Sequence, residues 1–225
     1  MDRTLLPSII VTCAAFLLIE FTGIDLWVQD HFYDFEAHKW LIDADSMVPK
    51  LLFYTGLKAL IWIFGILLIA AAFFHGTFCA RFPRLAFARR DMWIVIATLA
   101  TAPALVALGK ATTNTFTPAQ IRHYGGDQPY VKVIERYSQD DKPNKRGRGF
   151  PAGHASGGFA LLSLAGLATT RRGQTIGIAI GLAVGSTMGI YQMLKGAHYF
   201  SHTLVTVGIC WIIFLMWQRI LRSPN

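Results

Sequence analysis

Two histidines stand in settings that could do chemistry. His154 lies in Phe150-Pro151-Ala152-Gly153-His154-Ala155-Ser156-Gly157-Gly158, and His198 in Lys195-Gly196-Ala197-His198-Tyr199-Phe200-Ser201-His202. Each opens or precedes an apolar segment, and both fall on the same side of a membrane if those segments span one. An imidazole titrates near neutrality, so it can act as nucleophile or as acid. The stretch at 111–152, just before His154, is crowded with Arg122, Lys132, Arg136, Lys142, Lys145, Arg146 and Arg148. Phosphoryl transfer asks for these parts. Cations and backbone amides hold the non-bridging oxygens, a nucleophile attacks phosphorus in line, and an acid protonates the leaving oxygen.

Each residue has a plainer alternative. Pro151-Ala152-Gly153 puts His154 at a helix start, where free amides bind anions and glycine permits close approach; the alternative is a histidine that only packs or caps. His198 and His202 are spaced i, i+4 and share a helix face. That spacing suits metal ligation too, but no third ligand stands out. The reading preferred is His198 as nucleophile with His202 orienting its ring; the alternative is a buried His202 bonded to a neighbouring helix. Lys110, at the end of an apolar segment, is a phosphate-binding ammonium or a snorkelling lysine. Lys195 stands three residues before His198, within reach of the same anion. Glu20 and Lys58, inside apolar segments, are expected to pair with each other or to face the site, because unpaired charges there are costly. The basic residues of the 111–152 loop would meet an anionic substrate or headgroup, or form a solvated surface with Asp127, Glu135, Asp140 and Asp141.

The elements that must position these groups are membrane helices. The chain has 225 residues, 53% hydrophobic and 15% charged, with a mean hydropathy of +0.42. That is too apolar for a soluble domain. Residues 5–24, 51–74, 92–109, 154–169, 175–194 and 203–220 each approach the ~20 residues of a spanning helix, and backbone groups in lipid must bond within their own segment. The fourth is short and rich in Gly, Ala and Ser, which predicts close packing inside the bundle. The N-terminal segment reads as a retained span, since Arg3 alone precedes it and no small-x-small cleavage site follows. One domain over 1–225 is expected. The expected fold is therefore all-α, a six-span transmembrane bundle.

Net charge is +8. Arg3, Arg81, Arg84, Arg89, Arg90, Arg171, Arg172, Arg219 and Arg222 fall on one side of a six-span bundle, which the positive-inside rule makes cytoplasmic, with both termini. The 25–50 loop on the other side is acidic and aromatic and reads as a segment lying on the headgroups. The long basic loop at 111–152 lies on that side also, as long loops escape the rule. Cys13, Cys79 and Cys210 have no metal-site spacing and form no disulfide framework. No cofactor, metal or nucleic-acid partner is expected.

The pattern resembles the membrane branch of the type 2 phosphatidic acid phosphatase superfamily, which shares its core with vanadium haloperoxidases. That family carries Lys, six residues, Arg-Pro; then Pro-Ser-Gly-His; then Ser-Arg, five residues, His, three residues, Asp. Here Lys110 is followed by Thr117-Pro118, with Thr for Arg. Pro151-Ala152-Gly153-His154 has Ala for Ser. Gln192, His198 and His202 fall on the third motif, with Gln for Arg and His for Asp. The likeness covers about residues 92–215. It implies that His198 forms a phosphohistidine, that His154 protonates the leaving group, and that Lys110 and amides near Gly153 bind phosphate. Both family arginines and the carboxylate behind the nucleophile are replaced, so other groups must balance the phosphoryl charge. Arg122, Arg146, Arg148 and Lys195 are the candidates, and Gln192 offers an uncharged donor.

The function expected is an integral membrane phosphatase acting on a phosphomonoester or diphosphate of a lipid without metal. In a bacterial inner membrane, with the site facing the periplasm, the candidates are lipid A, undecaprenyl diphosphate and phosphatidylglycerol phosphate. Transfer to a second lipid through the same intermediate is the alternative enzyme. A non-catalytic lipid-binding protein is the alternative of another class. Nothing in the sequence sets an oligomeric state.

Overall fold

The computed structural model describes residues 4–222. Arg3 and the side chain of Arg84, two of the cations counted above, lie outside that description. The chain is mostly helical. α1 (Leu5–Glu20) bends by 71° into α2 (Ile24–Asp30). A short antiparallel ribbon, β1 (Tyr33–Asp34) with β2 (Lys39–Trp40), leads to α3 (Met47–Lys50). A π-helical stretch, Leu51–Gly56, runs into α4 (Leu57–Phe73), followed by α5 (His75–Arg81) and the long α6 (Arg89–Thr112). The 113–152 loop holds only short 3-10 turns. α7 (Gly153–Ala160) continues as a 3-10 helix over Leu161–Leu167, and α8 (Arg171–Leu194) and α9 (Phe200–Arg222) complete the bundle.

Four helices, Met47–Phe73, Arg89–Thr112, Arg171–Leu194 and Phe200–Arg222, are long and apolar enough to cross a membrane, and the bent pair α1–α2 is a fifth if it forms one broken span. The protein is thus a multi-pass membrane protein. Hydropathy predicts six segments. The one at 154–169 is built differently from the rest: an eight-residue α-helix and a seven-residue 3-10 helix, largely buried among its neighbours. Its glycines and serines favour helix poorly. The larger 3-10 rise lets the two pieces together extend about 26 Å.

This segment lies against α8 because α8 carries a glycine every fourth residue on one face. A Cβ on Gly177 would stand 2.5 Å from the Ala165 nitrogen, and one on Gly181 would stand 2.4 Å from the Leu162 nitrogen. One on Gly158 would stand 2.6 Å from the Gly185 Cα. The backbones touch, as small residues allow in helix pairs. Ala102, Ala155, Phe159, Leu162, Cys210 and Ile213 form a central core there.

The two ends of the bundle differ in chemistry. At one end Arg222 bonds Asp91 and the Gly166 carbonyl, and Arg89 bonds the Ala72 carbonyl. At the other end lie the start of α4, the end of α6, the start of α7 and the α8–α9 corner. That second end is covered by the 25–42 segment. Gln29 donates to the Met193 carbonyl at 2.7 Å, and the Ile42 amide donates to the Leu194 carbonyl. Tyr33, Phe116, Ile121, Tyr124 and Tyr199 form a buried aromatic cluster with Trp40 packed against it. The segment expected to lie on headgroups also caps this end of the bundle, with Trp27, Phe35 and Leu41 exposed. Hydropathy shows that these aromatics avoid water but not that they meet one another.

Asp25 ties the cap to α9. Its Oδ1 accepts the Ser201 amide at 2.8 Å and its Oδ2 accepts the Ser201 hydroxyl, with all of these groups buried. A carboxylate at a helix N-terminus satisfies orphan donors and meets the helix dipole. Asp25→Ala strips both partners from Ser201, the residue just before His202. We expect a loss of about 1–3 kcal/mol in stability, the cost of buried unpaired donors, with lowered activity. Asp25→Asn, which keeps an acceptor, should lose less. Thermal unfolding in detergent distinguishes the two; equal melting temperatures for wild type and Asp25→Ala would refute the role.

Candidate active site

The site is built around the turn between α8 and α9. α8 stops at Leu194 because Gly196 takes a left-handed φ of 71°, with its amide on the Met193 carbonyl and the Ala197 amide on the Gln192 carbonyl. A glycine is the natural residue for this reversal. It serves twice, since a Cβ there would stand 2.3 Å from the Trp40 ring. The chain then turns inward, leaving His198 and His202 2% and 1% exposed. The Nδ1 atoms of the two rings lie 3.4 Å apart. His198 Nε2, across the ring, is left facing away from this contact. Burial holds the His198 imidazole well below its usual 6.5; His202, Lys110 and His154 push the same way, and the Gly149 carbonyl opposes them.

His154 begins α7, and its ring centroid lies 5.9 Å from that of His198. Its Nδ1 is buried and has no hydrogen-bond partner among the described residues. The start of α7 is pinned to α9, since the Ala152 amide donates to the His202 carbonyl at 3.2 Å and to Thr206 Oγ1 at 3.0 Å. It is pinned to the end of α6 as well. The Thr113 hydroxyl donates to the Phe150 carbonyl at 2.6 Å, and the Gly149 amide donates to the Thr115 carbonyl. Gly147 and Gly149 permit this return, because a Cβ on either would strike Thr115. Lys110 thereby reaches the helix start: a Cβ at Gly153 would stand 3.6 Å from its Nζ.

A cavity of about 530 Å3 opens beside His154. Tyr54, Lys58, Gly153 and His154 line its polar end, and Ile66 and Leu99 are among the apolar residues beyond. The Tyr54 and His154 ring centroids are 4.7 Å apart. Lys58 and Lys195 place their Nζ atoms 5.9 and 6.0 Å from the same Tyr54 ring. The sequence leads to the expectation that Lys58 pairs with Glu20 or faces the site. The structure separates them: Glu20 accepts the Ile134 amide at 2.8 Å. Tyr54 and Asp25 went unseen, because neither belongs to a pattern and each acts across a long sequence separation.

Of the residues expected at the site, His154, His198, His202, Lys110, Gly153 and Lys195 come together. Gln192 is 1% exposed, and both its amide atoms lack partners among the described residues. The loop arginines are placed otherwise. Arg122 makes a two-pronged ion pair with Asp141. Arg146 donates to the Thr112 and Thr113 carbonyls, capping the end of α6. Arg148 is exposed on the loop leading back to α7. Thr117, where the resembled pattern has arginine, closes a capping box with Gln120. Cations suit carboxylates and helix C-termini as well as phosphates, and spacing cannot tell these uses apart. Among the described residues no group of three or more His, Cys, Asp or Glu side chains is placed to hold a metal.

A family model for the PAP2 superfamily matches residues 91–223. The chain belongs to the PAP2 superfamily. The match includes Lys110, His154 and His198 and leaves Asp25, Tyr54 and Lys58 outside it. The PAP2 chain is also similar to the Lipid A 4'-phosphatase of Francisella tularensis subsp. novicida (strain U112), at 24% identity over 212 residues, covering 91% of this chain and 90% of the relative. No solved structure matches it. By class this PAP2 protein is a lipid phosphatase, a hydrolase of phosphoric monoesters.

Proposed function

We propose that the protein removes a phosphate from a phosphorylated membrane lipid of the lipid A type through a phosphohistidine on His198, without a metal. The observation that carries this is the His154–His198 pair, ring centroids 5.9 Å apart, with His154 lining a largely apolar cavity. The cavity beside His154 offers an apolar wall to the chains that a lipid phosphate carries. The lipid A activity of the relative supports the substrate class.

In the first step His198 Nε2 attacks phosphorus, the bond from phosphorus to the lipid oxygen breaks, and His154 gives that oxygen a proton. In the second, His154 takes a proton from water, the resulting hydroxide attacks phosphorus, and the N–P bond breaks to free phosphate and His198. His202 accepts the Nδ1–H of His198 and fixes the tautomer in which Nε2 carries the lone pair. Lys110, Lys195 and the amides at Gly153 hold the non-bridging oxygens, with Gln192 as an uncharged donor. α7 and its 3-10 continuation act as the sixth crossing. The arginine-rich end faces the cytoplasm with both termini, and the site faces the periplasm of a bacterial inner membrane.

Phosphate release by the purified protein in detergent tests the reading. The panel holds lipid A, undecaprenyl diphosphate, phosphatidylglycerol phosphate and phosphatidate, each with EDTA. Release from lipid A that survives EDTA is expected; a wild type inactive on the whole panel would sink the proposal. The pH profile adds a second test. The nucleophile works as neutral imidazole, and burial lowers the pKa of His198. Its neutral form thus persists below pH 6.5, and the acid limb of kcat/KM should lie below that value. A limb centred at 6.5 or above would argue against His198 as the attacking group.

A further inference from the structure

Resting on the phosphatase reading above, we infer that α4 supplies a further cation to the phosphoryl group, Lys58, and that Lys58 and Lys195, set around Tyr54, stand in for the two missing arginines. A phosphoryl group in flight keeps its negative charge, so the site needs several cations. The resembled pattern provides a lysine and two arginines. Here the arginine positions hold Thr117, engaged in a capping box, and Gln192, buried and uncharged. Arg122 and Arg146 are engaged by Asp141 and by the end of α6. These replacements leave only Lys110 of the pattern's cations.

Lys58 answers the shortfall by position. It is the one charged residue in the apolar run Leu57–Phe73. A charge in such a run is costly and is kept where it lines a cavity or finds a partner. Glu20, the acid weighed as its partner, instead accepts the Ile134 amide. Among the described residues Lys58 makes no ion pair. It lines the same cavity as His154, and its Nζ lies 5.9 Å from the Tyr54 ring that packs on His154. Lys195 approaches that ring at 6.0 Å and the Tyr191 ring at 4.9 Å. A tyrosine face attracts ammonium groups, so Tyr54 holds Lys58, and Tyr191 with Tyr54 holds Lys195, beside the histidine. With Lys110 at the start of α7, the site holds three cations from three elements, the number in the resembled pattern. Lysines are point charges without the fork of a guanidinium, so they neutralise the phosphoryl oxygens with less constraint on its orientation.

The test compares wild type with Lys58→Met and Lys58→Arg, using release from the most reactive lipid of the panel and competitive inhibition by inorganic phosphate. Met keeps the length and suits a lipid-facing helix, so a lysine that merely snorkels would be replaced without effect. We expect Lys58→Met to lose about 10- to 100-fold in kcat/KM, the size of a charge-assisted contact, and to bind inorganic phosphate about 10-fold more weakly, with an unchanged melting temperature. Lys58→Arg should recover most of both. Lys58→Met with wild-type kcat/KM and wild-type phosphate inhibition would overturn the inference while leaving the phosphatase reading in place. A wild type that releases no phosphate would overturn both. If Lys58→Met proves unfolded, Lys58→Gln takes its place with the same expected losses.

Discussion

Replacing His198 with Ala should reduce phosphate release by more than about 10^4-fold, because the proposed nucleophile is gone. His154→Ala should lose less, about 10^2- to 10^4-fold, the usual worth of a general acid. The two losses should also differ in kind. A leaving group that departs as a stable anion, such as a nitrophenolate, needs no proton. On an activated aryl phosphate His154→Ala should therefore recover much of the first step and show a burst of phenolate, while His198→Ala stays silent. Rapid-mixing absorbance separates these outcomes. A burst from His198→Ala would remove the residue from the nucleophile's role. The 3.4 Å contact between His198 and His202 adds a corollary: a neutral imidazole steadies the ring but supplies no negative charge to an imidazolium, as a carboxylate would.

Gly181→Val should unfold the protein or lower its stability by more than about 3 kcal/mol, through overpacking at a backbone contact. Even a Cβ at this position meets the Leu162 nitrogen at 2.4 Å and its Cα at 2.7 Å. The neighbour is main chain, so no rotamer change can make room. Separation of α8 from the α7 segment would also move His154 relative to His198, since each lies at one end of that packed pair. Gly181→Ala should be intermediate, and Gly65→Ala, with nothing within 4 Å of the added atom, should be neutral or mildly stabilising. Thermal unfolding in detergent gives the order. A Gly181→Val protein as stable as wild type would mean that these helices do not pack as described.

Much of the architecture is carried by local signals. Apolar runs of about 20 residues mark helices that cross lipid, and five of the six expected segments are helices of that length or a bent pair. Small residues marked the 154–169 segment as buried, and it is. What hydropathy missed is its 3-10 continuation over Leu161–Leu167, which lies against the glycine face of α8. The site divides in the same way. The spacing within Pro151-Ala152-Gly153-His154 and Gly196-Ala197-His198 is enough to nominate the two histidines, because motif chemistry lies within a few residues of one turn.

The loop arginines show where such reasoning ends. Arg122, Arg146 and Arg148 carry the same charge in sequence, yet one meets Asp141, one meets the carbonyls ending α6, and one faces outward. Charge alone does not choose among a carboxylate, a helix end and a phosphate. By itself the sequence determined the class of the chain, its helices and the pair of histidines, all set by composition and short-range spacing. Tertiary structure alone decided that Asp25 holds Ser201, that the 25–42 segment caps the site, and that Tyr54 and Lys58 stand beside His154. These contacts join residues that no periodicity links, and they exist only once the helices pack.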